Sequence, residues 1–246
     1  MNDRTVLSGQ RVPGARLAEL RQGRVQHFAS DEVFAGRQVI VFALPGAFTP
    51  TCSSAHVPGY LARLNDFRDA GIDEVVCLSV NDPYVMDAWQ RSEKAQGIRF
   101  LADPAAEFAQ AMGLTTSNPE KGLGVRSRRY SMLVDKGTIA ALFVEEDRPD
   151  DPLEVSDAET MWRHWRPNEK GRGAAFLFGR HGCPYCARAE DLLKRHGITH
   201  DSIYLGEELT MLGVRAATGA TTLPQVFIEG KLVGGAEQLA KYLSEA

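Results

Sequence analysis

The chain has no apolar run approaching the roughly 20 residues that a membrane-spanning helix needs, although 43% of its 246 residues are hydrophobic. Its first residues, MNDRTVLSGQRVPGARL, lack a continuous apolar core and carry Asp3. They read as the start of a domain rather than a secretory signal or a transit peptide. Cysteine is scarce, with Cys52, Cys77, Cys183 and Cys186 the four present. That is too few and too uneven for a disulfide scaffold, so a close pair points to redox chemistry or a metal, with the cytoplasm as the default compartment. Charge of one sign is not in excess either. A net charge of -4 gives no reason to expect nucleic acid or an anionic membrane as partner. Repeats and low-complexity tracts are absent.

What the chain does have is alternating strand and helix patterns. QVIVFAL, Gln38 to Leu44, is a continuous apolar, β-branched run of the kind buried on both faces of a central strand. A helix over about Pro50 to Ala70, interrupted by Pro58, follows it. The next elements are a strand over Glu74 to Val80, a helix over Pro83 to Gln96 closed by Gly97, and a strand over Ile98 to Leu101. Asp103-Pro104 opens a further short helix. Ser131 to Val134 and Thr138 to Val144 flank Asp135-Lys136-Gly137 as a hairpin. Ser156 to Glu159 reads as a capping box opening a last helix. Trp165 to Gly173 (WRPNEKGRG) then holds little to bury. It reads as the break between two domains, 1–167 and 174–246, with 168–173 as linker. The second series places strands at Ala174 to Phe178 and Ser202 to Leu205, and helices at Pro184 to His196 and Glu207 to Thr218. A hairpin around Glu229-Gly230 and a helix from Ala236 complete it. This β-α-β-α-β-β-α order is the minimal thioredoxin-like one, so the fold class is α/β.

Two cysteine motifs carry the chemistry. In PGAFTPTC, Pro45 to Cys52, Pro50 suits the first helical position and Thr49 an N-cap. Cys52 then falls among helix N-terminal amides, which favour a thiolate; the competing reading is a small buried core cysteine. Cys183-Pro184-Tyr185-Cys186 repeats the arrangement, with Cys183 as cap and exposed nucleophile, Arg180 close by, and Cys186 turned inward. The alternative, a structural zinc, lacks a second ligand pair. Cys77, in VVCLSV, reads as buried and inert.

Pro45-x-x-x-Thr49-x-x-Cys52, with FALPGAFTPTCSSAHVPGY, VVCLSVNDPYVMDAW and RRYSMLVDKG, resembles the peroxiredoxins over about residues 1–165. The resemblance implies that Pro45 shields the cysteine and that the Thr49 hydroxyl binds peroxide and thiolate. Arg129 would complete the pocket, and Cys52 would pass through a sulfenic acid. Arg126 and Arg128 are read as solvated charge. The resolving cysteine that related peroxiredoxins often carry is missing from VEEDRPDDPLEVSD. FGRHGCPYC, Thr222-Leu223-Pro224 and QVFIEGKLVGG resemble glutaredoxin over about residues 174–244. That resemblance implies a cis Pro224 and glutathione contacts at Arg180, Tyr185, Thr222, Leu223, Pro224, Gly235, Ala236 and Glu237. Ala236 and Glu237 replace the family's usual Cys and Asp.

Together these features resemble hybrid peroxiredoxin–glutaredoxin proteins, two thioredoxin-like domains in tandem. The implied function is a peroxidase acting on hydrogen peroxide and alkyl hydroperoxides, with Cys52, Thr49, Arg129, Pro45, Cys183 and Cys186 catalytic. The resemblance further implies that no cofactor is held tightly, that glutathione is the reducing co-substrate with glutathione reductase acting indirectly, and that the chain is a dimer or tetramer of itself. A peroxide sensor relaying oxidation to partner proteins is the alternative. The need for Cys186 is open, because glutathione alone could regenerate Cys183.

Overall fold

The seven residues QVIVFAL form β3 (Gln38–Leu44), and their alternation divides the core of the first unit in two. In a computed structural model of the chain, which describes residues 7–167, 174–206 and 209–245, Ile40, Phe42 and Leu44 face one apolar cluster. Val39, Val41 and Ala43 face the other. A strand side-chain period of two demands this once both faces are covered. The helices α2 (Val57–Asp69), α3 (Pro83–Ser92) and α5 (Ala158–Trp165) cover the first face. The short α1 (Ser30–Phe34) and α4 (Glu107–Ala111) cover the second.

The other strands of this unit are β1 (Arg16–Arg21), β2 (Arg24–Ala29), β4 (Glu74–Ser79), β5 (Arg99–Ala102), β8 (Tyr130–Asp135) and β9 (Thr138–Val144). They make a seven-stranded sheet in the order β2-β1-β5-β4-β3-β8-β9. Strands β6 (Thr115–Asn118) and β7 (Leu123–Ser127) pair separately. The β8–β9 hairpin turns through Lys136 and Gly137, both at positive φ (49° and 85°), as a two-residue loop matched to strand twist requires.

The second unit has β10 (Ala174–Gly179), α6 (Pro184–Arg195), β11 (Thr199–Tyr204), α7 (Met211–Thr218), β12 (Gln225–Ile228), β13 (Lys231–Gly234) and α8 (Ala236–Glu245). Its four strands run β11-β10-β12-β13. Contacts divide the chain between residues 169 and 170. No helix among the described residues is long and apolar enough to cross a membrane.

Several boundaries differ from the sequence reading. Pro58 does not interrupt its helix, because a π-helical turn over Cys52–His56 precedes it. In that turn the Val57 N–H bonds to the Cys52 carbonyl. The helix widens just before a residue that has no N–H to donate. Helix α3 stops at Ser92, and Lys94, at φ 52°, is the left-handed residue that closes it. Gly97 serves packing instead: a Cβ there would lie 2.3 Å from Leu64 Cδ2. The cap of α5 is Asp157, whose carboxylate accepts from the Glu159 and Thr160 N–H groups. Ser156, the residue expected there, donates to Glu145. Trp165 belongs to α5 rather than to a linker, and its Nε1 donates to the Ala70 carbonyl at 3.2 Å. Helix α7 begins at Met211, capped by Thr210. The proposed linker, 168–173, lies outside the described residues.

Phe42 stacks on Tyr60 with ring centroids 4.2 Å apart and both side chains are fully buried. Phe42→Ala is expected to destabilise the first unit by about 3–5 kcal/mol. Urea unfolding followed by tryptophan fluorescence reads this unit alone, since all three tryptophans, Trp89, Trp162 and Trp165, lie in it.

Candidate active site

The loop after β3 turns back into the sheet through Asn81, whose Oδ1 accepts from the Ala47 N–H at 3.0 Å and from Ser79 Oγ at 2.9 Å. Thr49 Oγ1 donates to the Gly46 carbonyl at 2.9 Å. Thr49 stands at the cap position just before Pro50, the first helical residue, but its hydroxyl ties the loop together and takes no helix amide. The Thr49 carbonyl accepts from the Ser53 N–H, which starts the helical segment that carries Cys52.

Cys52 is fully buried. Strand register explains what meets it. Strand β8 runs antiparallel to β3 with Tyr130 opposite Ala43, so Arg129, one residue earlier, arrives at the end of β3 from which the Cys52 loop departs. Arg129 Nη1 lies 3.4 Å from Cys52 Sγ and 3.1 Å from His56 Nδ1. Its Nη2 pairs with Asp151 at 2.5 Å. Burial works against the Arg129 charge, but Cys52 and Asp151 outweigh it and hold the pKa above the ordinary arginine value.

Nothing in the sequence marks His56, because a lone histidine in a helical pattern carries no local signal. It is fully buried beside the stacked rings of Phe42 and Tyr60, with centroids 5.0 and 5.6 Å away. Burial, then the Arg129 charge, push its pKa down to about 3, against the Ser156 carbonyl. The ring is neutral at neutral pH. Its Nε2 donates to the Ser156 carbonyl at 3.2 Å, and its Nδ1 accepts from Arg129. Tyr60 Oη donates to the same carbonyl at 3.0 Å. Glu145 Oε1 fixes that carbonyl by accepting from the N–H groups of Glu154, Val155 and Ser156 and from Ser156 Oγ. Asp151 and Glu145 are likewise unmarked by the sequence, where they stand among other acidic residues. Arg126 and Arg128 are a correction: both are half-buried and donate to the carbonyls of Val80 and Glu145. Pro45 lines a small cleft together with Arg129 and Asp151. Cys77 is fully buried in β4, and burial, then the nearby Cys52, raise its pKa well above the ordinary thiol value.

In the second unit Cys183 caps α6, its Sγ accepting from the Cys186 N–H at 3.3 Å. It is more covered than expected, at 9% exposure, but Cys186 has only 2%. Burial pushes the Cys183 thiol up, yet the Cys186 side chain, the N–H groups of Cys186 and Tyr185, and Arg180 together bring its pKa below the ordinary value. Burial, then the bond to Cys183, push Cys186 up to about 11. Tyr185 is exposed. The Leu223-Pro224 bond is cis. Because Gln225 pairs with Phe178 and Gly234 with Val226, Pro224 and Gly235 reach the same end of the sheet as Cys183. The Gly235 N–H is already taken by Gln238 Oε1 at 3.1 Å. Ala236 is buried, while Thr222 and Glu237 are exposed and Leu223 half-buried.

Each unit is thus a thioredoxin-like sheet with one reactive cysteine presented where a strand passes into a helix, which defines a thiol-based redox protein. Comparison with known proteins narrows the class. A redoxin family model matches residues 7–161 and a glutaredoxin model residues 175–233. The hybrid peroxiredoxin hyPrx5 of Haemophilus influenzae is 41% identical over 97% of this chain and 99% of its own. Peroxiredoxin-2B of Arabidopsis thaliana is 45% identical over 45% of this chain and 69% of its own. The structure of reduced Prx3 from Vibrio vulnificus in complex with H2O2 superposes with a TM-score of 0.63 at 40% identity, covering 65% of this chain and 99% of that one. The chain belongs to the redoxin family: it is a peroxiredoxin, a thiol peroxidase, with a glutaredoxin domain fused behind it.

The buried neutral His56 has a measurable consequence. Between about pH 6.5 and pH 3 an unfolded histidine binds a proton and the folded one does not, so stability falls as pH falls through this window. Relative to a His56→Asn variant, the wild-type first unit should lose up to about 1.4 kcal/mol of additional stability per pH unit there. Urea titrations at a series of pH values, giving parallel curves for the two proteins, would refute the assignment.

Proposed function

We propose that the chain is a glutathione-dependent peroxidase acting on hydrogen peroxide and alkyl hydroperoxides. The Cys52 thiolate attacks the terminal oxygen of the hydroperoxide, the O–O bond breaks, and water or an alcohol leaves with the sulfur as sulfenic acid. Arg129, 3.4 Å from Cys52 Sγ, and Thr49 are the groups assigned to the charge that grows on the departing oxygen. Glutathione then condenses with the sulfenic acid, releasing water and leaving a glutathionyl disulfide on Cys52. The Cys183 thiolate removes that group, and a further glutathione frees Cys183 as glutathione disulfide. Glutaredoxin potentials of about -200 to -230 mV lie close to a cytosolic glutathione poise, which makes the last exchange reversible and drivable. Arg180, Tyr185, Thr222, Leu223, Pro224, Gly235, Ala236 and Glu237 are the contacts assigned to glutathione. The cytoplasm and a dimer or tetramer belong to the same reading.

One observation carries this proposal. The first unit's second cysteine, Cys77, is fully buried in a central strand with its thiol pKa raised, while the second unit offers a Cys183 thiol whose pKa is lowered. The sulfenic acid needs a thiol from outside its own domain.

In an assay coupling peroxide to NADPH through glutathione reductase, Cys52→Ser is expected to fall to the uncatalysed background. Cys183→Ser is expected to keep a single-turnover reaction with peroxide while its glutathione-driven turnover falls to background. Undiminished coupled turnover by Cys183→Ser would sink the relay.

A further inference from the structure

Helix α6 carries a feature that the relay leaves unused. Cys186 and Glu190 are four residues apart, one above the other on a single face. That face meets β11, where Glu190 Oε1 accepts from Tyr204 Oη and, at 3.3 Å, from Ser202 Oγ. The Tyr204 ring stacks on His181 with centroids 4.4 Å apart. It also passes Gly179 so closely that a Cβ there would lie 3.0 Å from Tyr204 Cε1. Arg180, His181, Cys183, Cys186, Glu190 and Tyr204 line one cavity of about 320 Å³. A cavity of that size, with Arg180, His181, Glu190 and Tyr204 in its lining, has room for water and polar groups to hold it. An anchored carboxylate therefore shares a wet space with the inner thiol of the pair.

We propose that Glu190 accepts the proton of the Cys186 thiol, through water in this cavity, when Cys186 attacks a mixed disulfide on Cys183, and that Tyr204 is the positioning residue holding the carboxylate. In that step the Cys186–Cys183 S–S bond forms and the bond from Cys183 to the leaving thiol breaks. The electron pair departs on that thiolate, and the proton rests on Glu190 before passing to solvent. The leaving thiol is glutathione on the reading proposed above, though the step serves any mixed disulfide at Cys183.

The chemistry gives the carboxylate work to do. Burial holds the Cys186 thiol protonated, so at neutral pH little of it is present as the thiolate that attacks. A base at hand removes that bottleneck. The groups facing Glu190 are Tyr204 and Ser202 from β11, Cys186 from its own helix, and Arg180 and His181 across the cavity. Arg180 lowers the pKa of both cysteines and so favours their thiolates.

The test uses the full chain with Cys52→Ser, mixed with an aryl disulfide whose thiolate is coloured. The first thiolate released reports attack by Cys183, and the second reports resolution by Cys186. Glu190→Gln should lower the ratio of second-phase to first-phase rate about 10- to 100-fold at pH 7. Its second phase should then rise tenfold per pH unit between roughly pH 6 and 9, as simple thiol ionisation dictates, with the wild type less steep. Tyr204→Phe, which keeps the carboxylate but releases its anchor, should slow the second phase alone by a smaller factor. A wild-type ratio and slope in Glu190→Gln, or equal loss of both phases in both variants, overturns the assignment. A wild type that releases both thiolates but is idle with glutathione and peroxide would instead refute the glutathione reading and leave this one standing.

Discussion

A guanidinium that is 3% exposed needs compensation where it lies, and both amino groups of Arg129 have partners there, while its buried Nε has none. Cys52 and His56 share one amino group and Asp151 takes the other. Losing any one partner would leave a buried charge partly unpaired, which costs far more than an exposed ion pair contributes. The guanidinium is therefore fixed relative to the sulfur before a peroxide arrives, and preorganised charge of this kind is effective in a site closed to water. The rest of the domain serves that placement. Strand register brings Arg129 to the loop, the π-helical turn buries both Cys52 and His56, and the Glu145 carboxylate fixes the Ser156 carbonyl against which His56 and Tyr60 are set.

The two reactive cysteines use one architectural device with opposite surroundings. Both follow a strand and open a helix with a proline in its first turns. Cys52 has no accessible surface and a fixed cation, so only a small reactant fits without rearrangement. Cys183 has some exposed surface, a second thiol one turn on, and a cation held only in the preceding loop. Attack on a small oxidant and exchange with a bulky thiol adduct make incompatible demands on access, which is a physical reason to divide them between two domains of one chain.

Much of this was legible in the sequence where one local rule dominates. A run such as QVIVFAL cannot be solvated on either face, so β3 was readable to the residue. Cys-Pro at a helix start and Lys-Gly between two strands are equally local. What escaped depends on partners and turns that residue type does not announce. Thr49 and Ser156 are good caps by type, but nearby acceptors, the Gly46 carbonyl and the Glu145 carboxylate, took their hydroxyls. Asp157, next in line, capped the helix instead. Arg126 and Arg128 looked solvated because nothing in their own segment shows that the carbonyls of Val80 and Glu145 lie within reach. Pro58 read as a break because a widened turn before it is not encoded by any residue type. His56 takes its meaning from Arg129, 73 positions away.

Cys77 completes the argument for two domains. It belongs to the same apolar cluster as Cys52, on the strand beside β3 and opposite Phe42, so proximity alone would make it a candidate for resolving the sulfenic acid. Its environment forbids that. Burial keeps the thiol protonated, and a disulfide needs a specific mutual geometry of the two Cα–Cβ vectors. Strand β4 is held by ladders to β3 and β5 on both sides, so Cys77 cannot move out to meet a partner without breaking them. A cysteine that is part of the core cannot also be a reagent, so a first domain that keeps its packing must take its second sulfur from elsewhere.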